Sequence, residues 1–237
     1  MGIGIVIATG RSIISAVEII NELDIHAYVI ALNGTFITKV NKNETISPIR
    51  KKGLPQERVK KAFEIAMKEN VTFIVSNEQG SDRVLRHNGT ELVQEFLVHR
   101  PDLHNYTEEQ MRKMLSETST EYLKIAFTIK NRKKLLELQH KLRLEGLHTI
   151  FSDEYYIEYL PDNTNKGTAL AYLCKYLGCD IKETVAFGDQ ENDIEMLTLS
   201  GLGIAMENAQ NHVKETADRI TLTNDDSGVG VALNELF

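Results

Sequence analysis

The segment from Thr184 to Leu197 constrains the fold more than any other part of the chain. Apolar Val185, Ala186 and Phe187 stop at Gly188-Asp189, and three residues later Asn192-Asp193 open a second apolar pattern, Ile194, Met196 and Leu197. Such a run reads as strand, loop and helix. Glycine lets the chain leave the strand in a tight turn, and both carboxylates then fall on one loop at the carboxyl edge of a sheet. Open α/β sheets bind their ligands at that edge. Hard oxygen donors held together there suit Mg²⁺, which takes one or two carboxylates and keeps positions for water and phosphate oxygens. A solvated acidic loop is the plainer alternative for two aspartates. The strand and helix framing Gly-Asp-x-x-Asn-Asp favour Asp189 and Asp193 as metal ligands.

Both ends of the chain follow the rhythm of that segment. Ile3 to Ala8 is a continuous apolar run of the kind found in strands buried on both faces. It stops at Thr9-Gly10-Arg11-Ser12, and Ala16, Val17, Ile20 and Leu23 then mark one face of a helix. Tyr28 to Leu32 is a second strand ending in Asn33-Gly34. Phe36 to Val40 and Thr45 to Ile49 flank Asn41-Lys42-Asn43, a hairpin signal. Beyond Gly201 come strands at 202–205 and 219–222, and helices around 212–217 and from Val229. Strands alternating with helices imply a doubly wound, parallel, Rossmann-like α/β sheet.

The middle of the chain is more polar and changes period. Pro55 stands at a helix start, followed by the stripe Val59, Ala62, Phe63, Ala66 and Met67. Strands are expected at 71–75, 82–85, 92–98, 122–129, 148–151 and 155–159, and helices at 108–116 and 133–144. This is an α+β pattern. It predicts an inserted cap domain over residues 51–158, within a core made of 1–50 and 159–237. Pro48 and the run Leu160-Pro161-Asp162-Asn163 mark the exits.

Composition narrows the function classes. A chain of 237 residues buries a sizeable core. Its net charge of -7 opposes a nucleic-acid partner, which would require a clustered basic face. No apolar run approaches the roughly 20 residues of a membrane span. Cys174 and Cys179 have no cysteine or histidine partners at metal spacing and read as reduced thiols of a cytoplasmic protein. None of the seven histidines stands beside the acidic motif, so none is assigned a role. Lys166 is different, because it opens the helix carrying Leu170, Leu173 and Leu177. A cation there opposes the helix dipole at about 0.3–1 kcal/mol, so an anion or carboxylate nearby is the reason expected for it.

In order, Ile-Ala-Thr-Gly-Arg (7–11), Leu-Asn-Gly-Thr-Phe-Ile (32–37), Asn-Lys-Gly-Thr-Ala-Leu (165–170), Gly-Asp-Gln-Glu-Asn-Asp-Ile-Glu-Met-Leu (188–197) and Gly-Leu-Gly-Ile-Ala-Met-Glu-Asn-Ala (201–209) resemble the haloacid dehalogenase superfamily. The likeness is to its Cof-type phosphatases with a large cap, which is matched here by position and length. The resemblance implies a Mg²⁺-dependent phosphohydrolase acting on small phosphorylated metabolites such as sugar phosphates, through an aspartyl phosphate. It implies that Thr9 bonds the phosphoryl group, with Gly10 and Arg11 beside it, and that Lys166 holds that group. Asp189 and Asp193 would hold Mg²⁺, directly or through water. Asn192 stands on the phosphate side, and Asn33-Gly34 line the same edge.

One family element has no counterpart. These enzymes carry Asp-x-Asp-Gly-Thr on an N-terminal strand, the first aspartate being the nucleophile and the second the general acid and base; the 237 residues contain no such sequence. Ala31-Leu32-Asn33-Gly34-Thr35 is a look-alike in the wrong register, since the family has an Asn-Gly segment at this later point. Met1-Gly2-Ile3-Gly4 reads as the turn before the second strand, as though translation began at an internal methionine. A chain of this form is expected to be truncated or inactive, since covalent turnover needs a carboxylate to attack phosphorus. A non-catalytic protein that binds phosphate and Mg²⁺ is the alternative. The sheet edges beside the missing strand would be apolar, and either the two flanking strands close up and pair directly or another chain, as in a homo-oligomer, covers them.

Overall fold

The structure, a computed structural model, describes residues 3–41, 46–86, 102–117 and 119–237. The chain divides into two compact units, Met1–Asp162 and Asn163–Phe237.

The first unit contains two sheets. Strands β1 (Val6–Ala8), β2 (Ala27–Ala31), β3 (Phe36–Val40) and β4 (Ile46–Lys51) lie side by side in that order. β1 and β2 are parallel, and the other two pairings are antiparallel. Between β1 and β2 runs helix α1 (Ile13–Glu22), whose Ile13, Ala16 and Ile20 are buried against Val29, Ala31 and Phe36. The expected strand at Ile3 starts only at Val6, and Ile3 is 67% exposed. β2 begins at Ala27, so the chain before Val6 has no ladder partner beyond the bond from the Tyr28 amide to the Ile5 carbonyl. Met1-Gly2 and most of the expected hairpin turn lie outside the described residues. The flanking strands pair as the hairpin signal required, Val40 opposite Ile46.

Between β2 and β3 the backbone makes a left-handed excursion, with Leu32, Asn33 and Gly34 at φ values of 50°, 56° and 101°. Asparagine and glycine accept that region readily. Leucine does so only under constraint, and here it is 2% exposed.

The second sheet has the order β7-β6-β5-β8-β10-β9, from strands β5 (Thr72–Asn77), β6 (Gly80–Val84), β7 (Leu103–Asn105), β8 (Lys124–Thr128), β9 (Thr149–Asp153) and β10 (Tyr156–Tyr159). Helices α2 (Gln56–Lys68), α3 (Glu108–Glu117) and α4 (Arg132–Leu144) contribute to the core on one of its faces. All five residues of the α2 stripe are buried, and Phe73 stands edge-on to Phe63 at 5.3 Å and to Phe127 at 6.0 Å. Because side chains alternate along a strand, the residues between Phe73, Val75 and Ile125 face the other way. That face carries Ser76, Ser81, Lys124 and Glu158, all buried. β7 was not expected, since three residues that include His104 and Asn105 give no apolar pattern. The strand expected at 92–98 lies outside the described residues.

Helix α4 starts on a side-chain cap. The Asn131 carboxamide oxygen accepts the Lys134 amide at 3.0 Å. Asn131→Ala is therefore expected to lower stability by about 1 kcal/mol, read as a lower urea midpoint at constant slope. An unshifted midpoint would show that solvent serves the orphan amide equally well.

The second unit alternates helix and strand: α5 (Lys166–Leu177), β11 (Val185–Gly188), α6 (Ile194–Leu199), β12 (Leu202–Ala205), α7 (Asn211–Lys214), β13 (Arg219–Ile220) and α8 (Gly228–Leu236). Its three strands form one parallel sheet in the order β11-β12-β13. An α/β fold with parallel strand pairs is thus the architecture of the chain. No described helix is long and apolar enough to cross a membrane.

Candidate active site

In the second unit the acidic loop is built around Asp193. After β11 ends at Gly188, residues Glu191–Asp193 form one 3₁₀ turn leading into α6. Asp193 is 4% exposed, and its Oδ2 accepts the amides of Asp189 and Gln190, each at 3.1 Å. Its Oδ1 accepts Lys166 Nζ at 2.6 Å. Lys166 is the first residue of α5, which Asn165 caps by accepting the Thr168 amide at 2.7 Å. The carboxylate neighbour expected for this lysine is Asp193. With both side chains buried, 8% and 6% exposed, the pair is short and shielded from water.

Two glycines permit this closure. A Cβ on Gly188 would stand 2.4 Å from the Asp193 Cβ, and one on Gly167 would meet the Glu195 carbonyl carbon at 2.7 Å. Asp189, half-buried, turns away from this knot, and its Oδ2 accepts Asn208 Nδ2 at 3.3 Å. Asn208 in turn accepts the Asn224 amide at 3.1 Å. Asn208 was not singled out in the sequence, although it stands in the Glu-Asn-Ala that follows β12. Asn192 lies in the 3₁₀ turn between the two aspartates.

The donor chemistry fits Mg²⁺ at Asp189, a carboxylate on a strand-end loop. Asp193 has both oxygens engaged by Lys166 and the loop amides, so direct ligation by it would displace one of them. Among the described residues no three His, Cys, Asp or Glu side chains gather as a metal cage, and Mg²⁺ does not require one. Burial pushes the Cys174 thiol up to about 11, with Cys179 adding to the effect, so it stays protonated and a poor nucleophile near neutral pH.

In the first unit the loops after β1 and β2 are joined by backbone bonds. The Thr9 amide donates to Ile30, and the amides of Leu32 and Asn33 donate to the carbonyls of Arg11 and Thr9. Thr9 Oγ1 accepts the Arg11 amide at 3.0 Å. Gly10 lies so close to Asn33 that a Cβ would meet its Oδ1 at 3.1 Å. Thr9, Gly10, Arg11, Asn33 and Gly34 are therefore brought together in one unit, and Lys166, Asp189, Asn192 and Asp193 in the other.

Comparison with known proteins agrees with the motifs. Residues 1–233 match the family described as haloacid dehalogenase-like hydrolase. The chain is 30% identical over 233 residues to the Bacillus subtilis 5-amino-6-(5-phospho-D-ribitylamino)uracil phosphatase YcsE, covering 98% of this chain and 81% of that protein. It is 27% identical to the Bacillus subtilis phosphatase YwpJ, over 100% of this chain and 88% of that one. Among solved structures, a haloacid dehalogenase-like hydrolase from Bacteroides thetaiotaomicron matches with a TM-score of 0.79 at 28% identity, covering 100% of this chain and 87% of that chain. With its motifs in order and the family match spanning nearly its whole length, the chain belongs to the haloacid dehalogenase-like hydrolases.

Proposed function

We propose that this protein is a phosphatase-type member of its family that recognises a small phosphorylated metabolite with the help of Mg²⁺. The observation that carries the reading is the buried Lys166–Asp193 pair, which braces the loop of Asp189. A fixed cation in the same unit as a strand-end carboxylate held only by Asn208 is what a phosphoryl group and a divalent metal require together. The substrate class is supported by YcsE, whose name gives a phosphorylated ribitylaminouracil.

In this reading the Thr9 hydroxyl donates a hydrogen bond to a phosphoryl oxygen, with Gly10 and Arg11 beside it. Asn33 and Gly34 border it in the same unit, and in the second unit the family's motifs assign Lys166 to offset phosphoryl charge and Asn192 to the phosphate side. Asp189 holds Mg²⁺, with Asp193 acting through Lys166 and the loop amides. When bound, the metal would neutralise charge growing on the phosphoryl oxygens. Residues 51–158 would serve as the cap, in a protein of the cytoplasm. Covalent turnover would add a carboxylate that attacks phosphorus, expels the alcohol and is freed by water. The chain contains no Asp-x-Asp-Gly-Thr to supply it. The second reading, for a polypeptide without that motif, is binding of phosphate and Mg²⁺ with little turnover.

Calorimetric titration with inorganic phosphate tests both. Binding is expected in MgCl₂ and weakened by EDTA, by Thr9→Ala and by Lys166→Ala, with Asp189→Ala abolishing the Mg²⁺ dependence. Hydrolysis of p-nitrophenyl phosphate should not exceed that of the Lys166→Ala protein. Phosphate binding indifferent to Thr9 and Lys166 sinks the site. Turnover that Asp189→Ala abolishes, in protein free of host phosphatase, sinks the claim that the nucleophile is missing.

A further inference from the structure

The buried polar face of the six-stranded sheet is not explained by stability alone. Lys124 on β8 and Glu158 on β10 form an ion pair of 2.8 Å with side chains 9% and 7% exposed. Pairs taken out of water so completely are often no more stable than apolar residues of the same volume. Each partner has a second bond, and both reach the loops described above. Lys124 Nζ donates to the Gly10 carbonyl at 2.7 Å. Glu158 Oε2 accepts Asn33 Nδ2 at 2.5 Å. A third tie runs from the Ser12 hydroxyl, at the N-terminus of α1, to Asp102 Oδ2 at 2.6 Å, just before β7.

These bonds form a directed chain. A trans peptide places its carbonyl and its amide on opposite sides. By holding the Gly10 carbonyl, Lys124 turns the Arg11 amide the other way, where it donates to Thr9 Oγ1. A hydroxyl has two acceptor lone pairs but one proton. With the Arg11 amide on a lone pair, the Thr9 proton is left to point at an anion. Glu158 fixes which end of the Asn33 carboxamide faces the sheet, while the Asn33 amide holds the Thr9 carbonyl at 3.0 Å.

We infer that Lys124 and Glu158 are positioning residues, which orient the Thr9–Arg11 and Asn33 loops of the phosphate-binding side from the adjoining sheet. The inference deepens the phosphate reading and rests on it for its effect on affinity. The orientation of the loops can be tested without a ligand.

The test uses the full chain with Lys124→Met/Glu158→Leu, an apolar pair of similar volume, and with Glu158→Gln should the double variant fail to fold. Melting temperature, amide hydrogen exchange and phosphate affinity are measured on each. The expected result is a melting temperature near that of the parent, with faster exchange of the Arg11 and Asn33 amides. Phosphate affinity should fall about tenfold, the order of one charged hydrogen bond. A merely structural pair would move melting temperature and exchange throughout the unit together, and that outcome overturns the inference. Unchanged exchange at Arg11 and Asn33 in a folded variant overturns it as well. If the parent shows no Lys166-dependent phosphate binding, the functional reading fails. The exchange rates alone then decide the positioning role: faster exchange confined to the two loops upholds it, and unchanged exchange ends it.

Discussion

Lys166→Met should lower the unfolding free energy of the second unit by about 3–5 kcal/mol, because it strands a buried carboxylate without its cation. Asp193 would keep the amides of Asp189 and Gln190 on Oδ2 and lose Lys166 on Oδ1. Methionine fills nearly the same volume, so packing is not the cause. Adding Asp193→Asn separates charge from shape. Its carboxamide oxygen can still accept the loop amides, and no charge remains to be compensated. Lys166→Met/Asp193→Asn is therefore expected to recover most of the lost stability while still binding phosphate more weakly than the parent. Urea unfolding of the parent and both variants checks this. A single variant as stable as the parent would mean that water already reaches the pair.

Gly188→Ala should disable the acidic loop through one methyl group. The added carbon would stand 2.4 Å from the Asp193 Cβ and 2.9 Å from its Cγ. Asp193 is tied on both oxygens and cannot swing aside without breaking bonds to Lys166 or the loop amides. Overpacking of this kind costs about 1–3 kcal/mol, and the displaced Asp193 should reduce Mg²⁺-dependent phosphate binding at least about tenfold. Gly230→Ala is the control, since nothing lies within 4 Å of its new carbon. It sits inside α8, where alanine is favoured over glycine by about 0.5–1 kcal/mol. Scanning calorimetry and phosphate titration compare the two. Equal behaviour of the two variants would show that the loop relaxes at no cost.

The regular elements were legible wherever apolar spacing alone decided them. The α2 stripe, the strand running into Gly188 and the Lys166 helix all follow from periodicity and caps. The α/β class follows from strands alternating with helices at both ends. Periodicity could not disclose β7, whose placement depends on its pairing with β6. Lys124 and Glu158 sit on strands that read as ordinary alternation. Their roles depend on two loops more than 100 residues away in sequence, and no local pattern records that meeting. Asp189 and Asp193 looked equivalent as carboxylates on one loop. Their difference comes from which backbone amides the turn aims at which side chain.

The left-handed run Leu32-Asn33-Gly34 bears on what a ligand would experience on arrival. Residues in that region cost about 1–3 kcal/mol each when they are not glycine and persist only where the surroundings over-determine them. Here the surroundings are backbone bonds to Thr9 and Arg11, together with the grip of Glu158 on Asn33. The conformational freedom of both loops has thus been surrendered during folding. An anion bound there, as proposed, would meet a Thr9 hydroxyl already oriented, so its binding would carry little penalty for ordering the chain. Affinity at such a place would be decided chiefly by desolvation and charge, with little spent on ordering these loops.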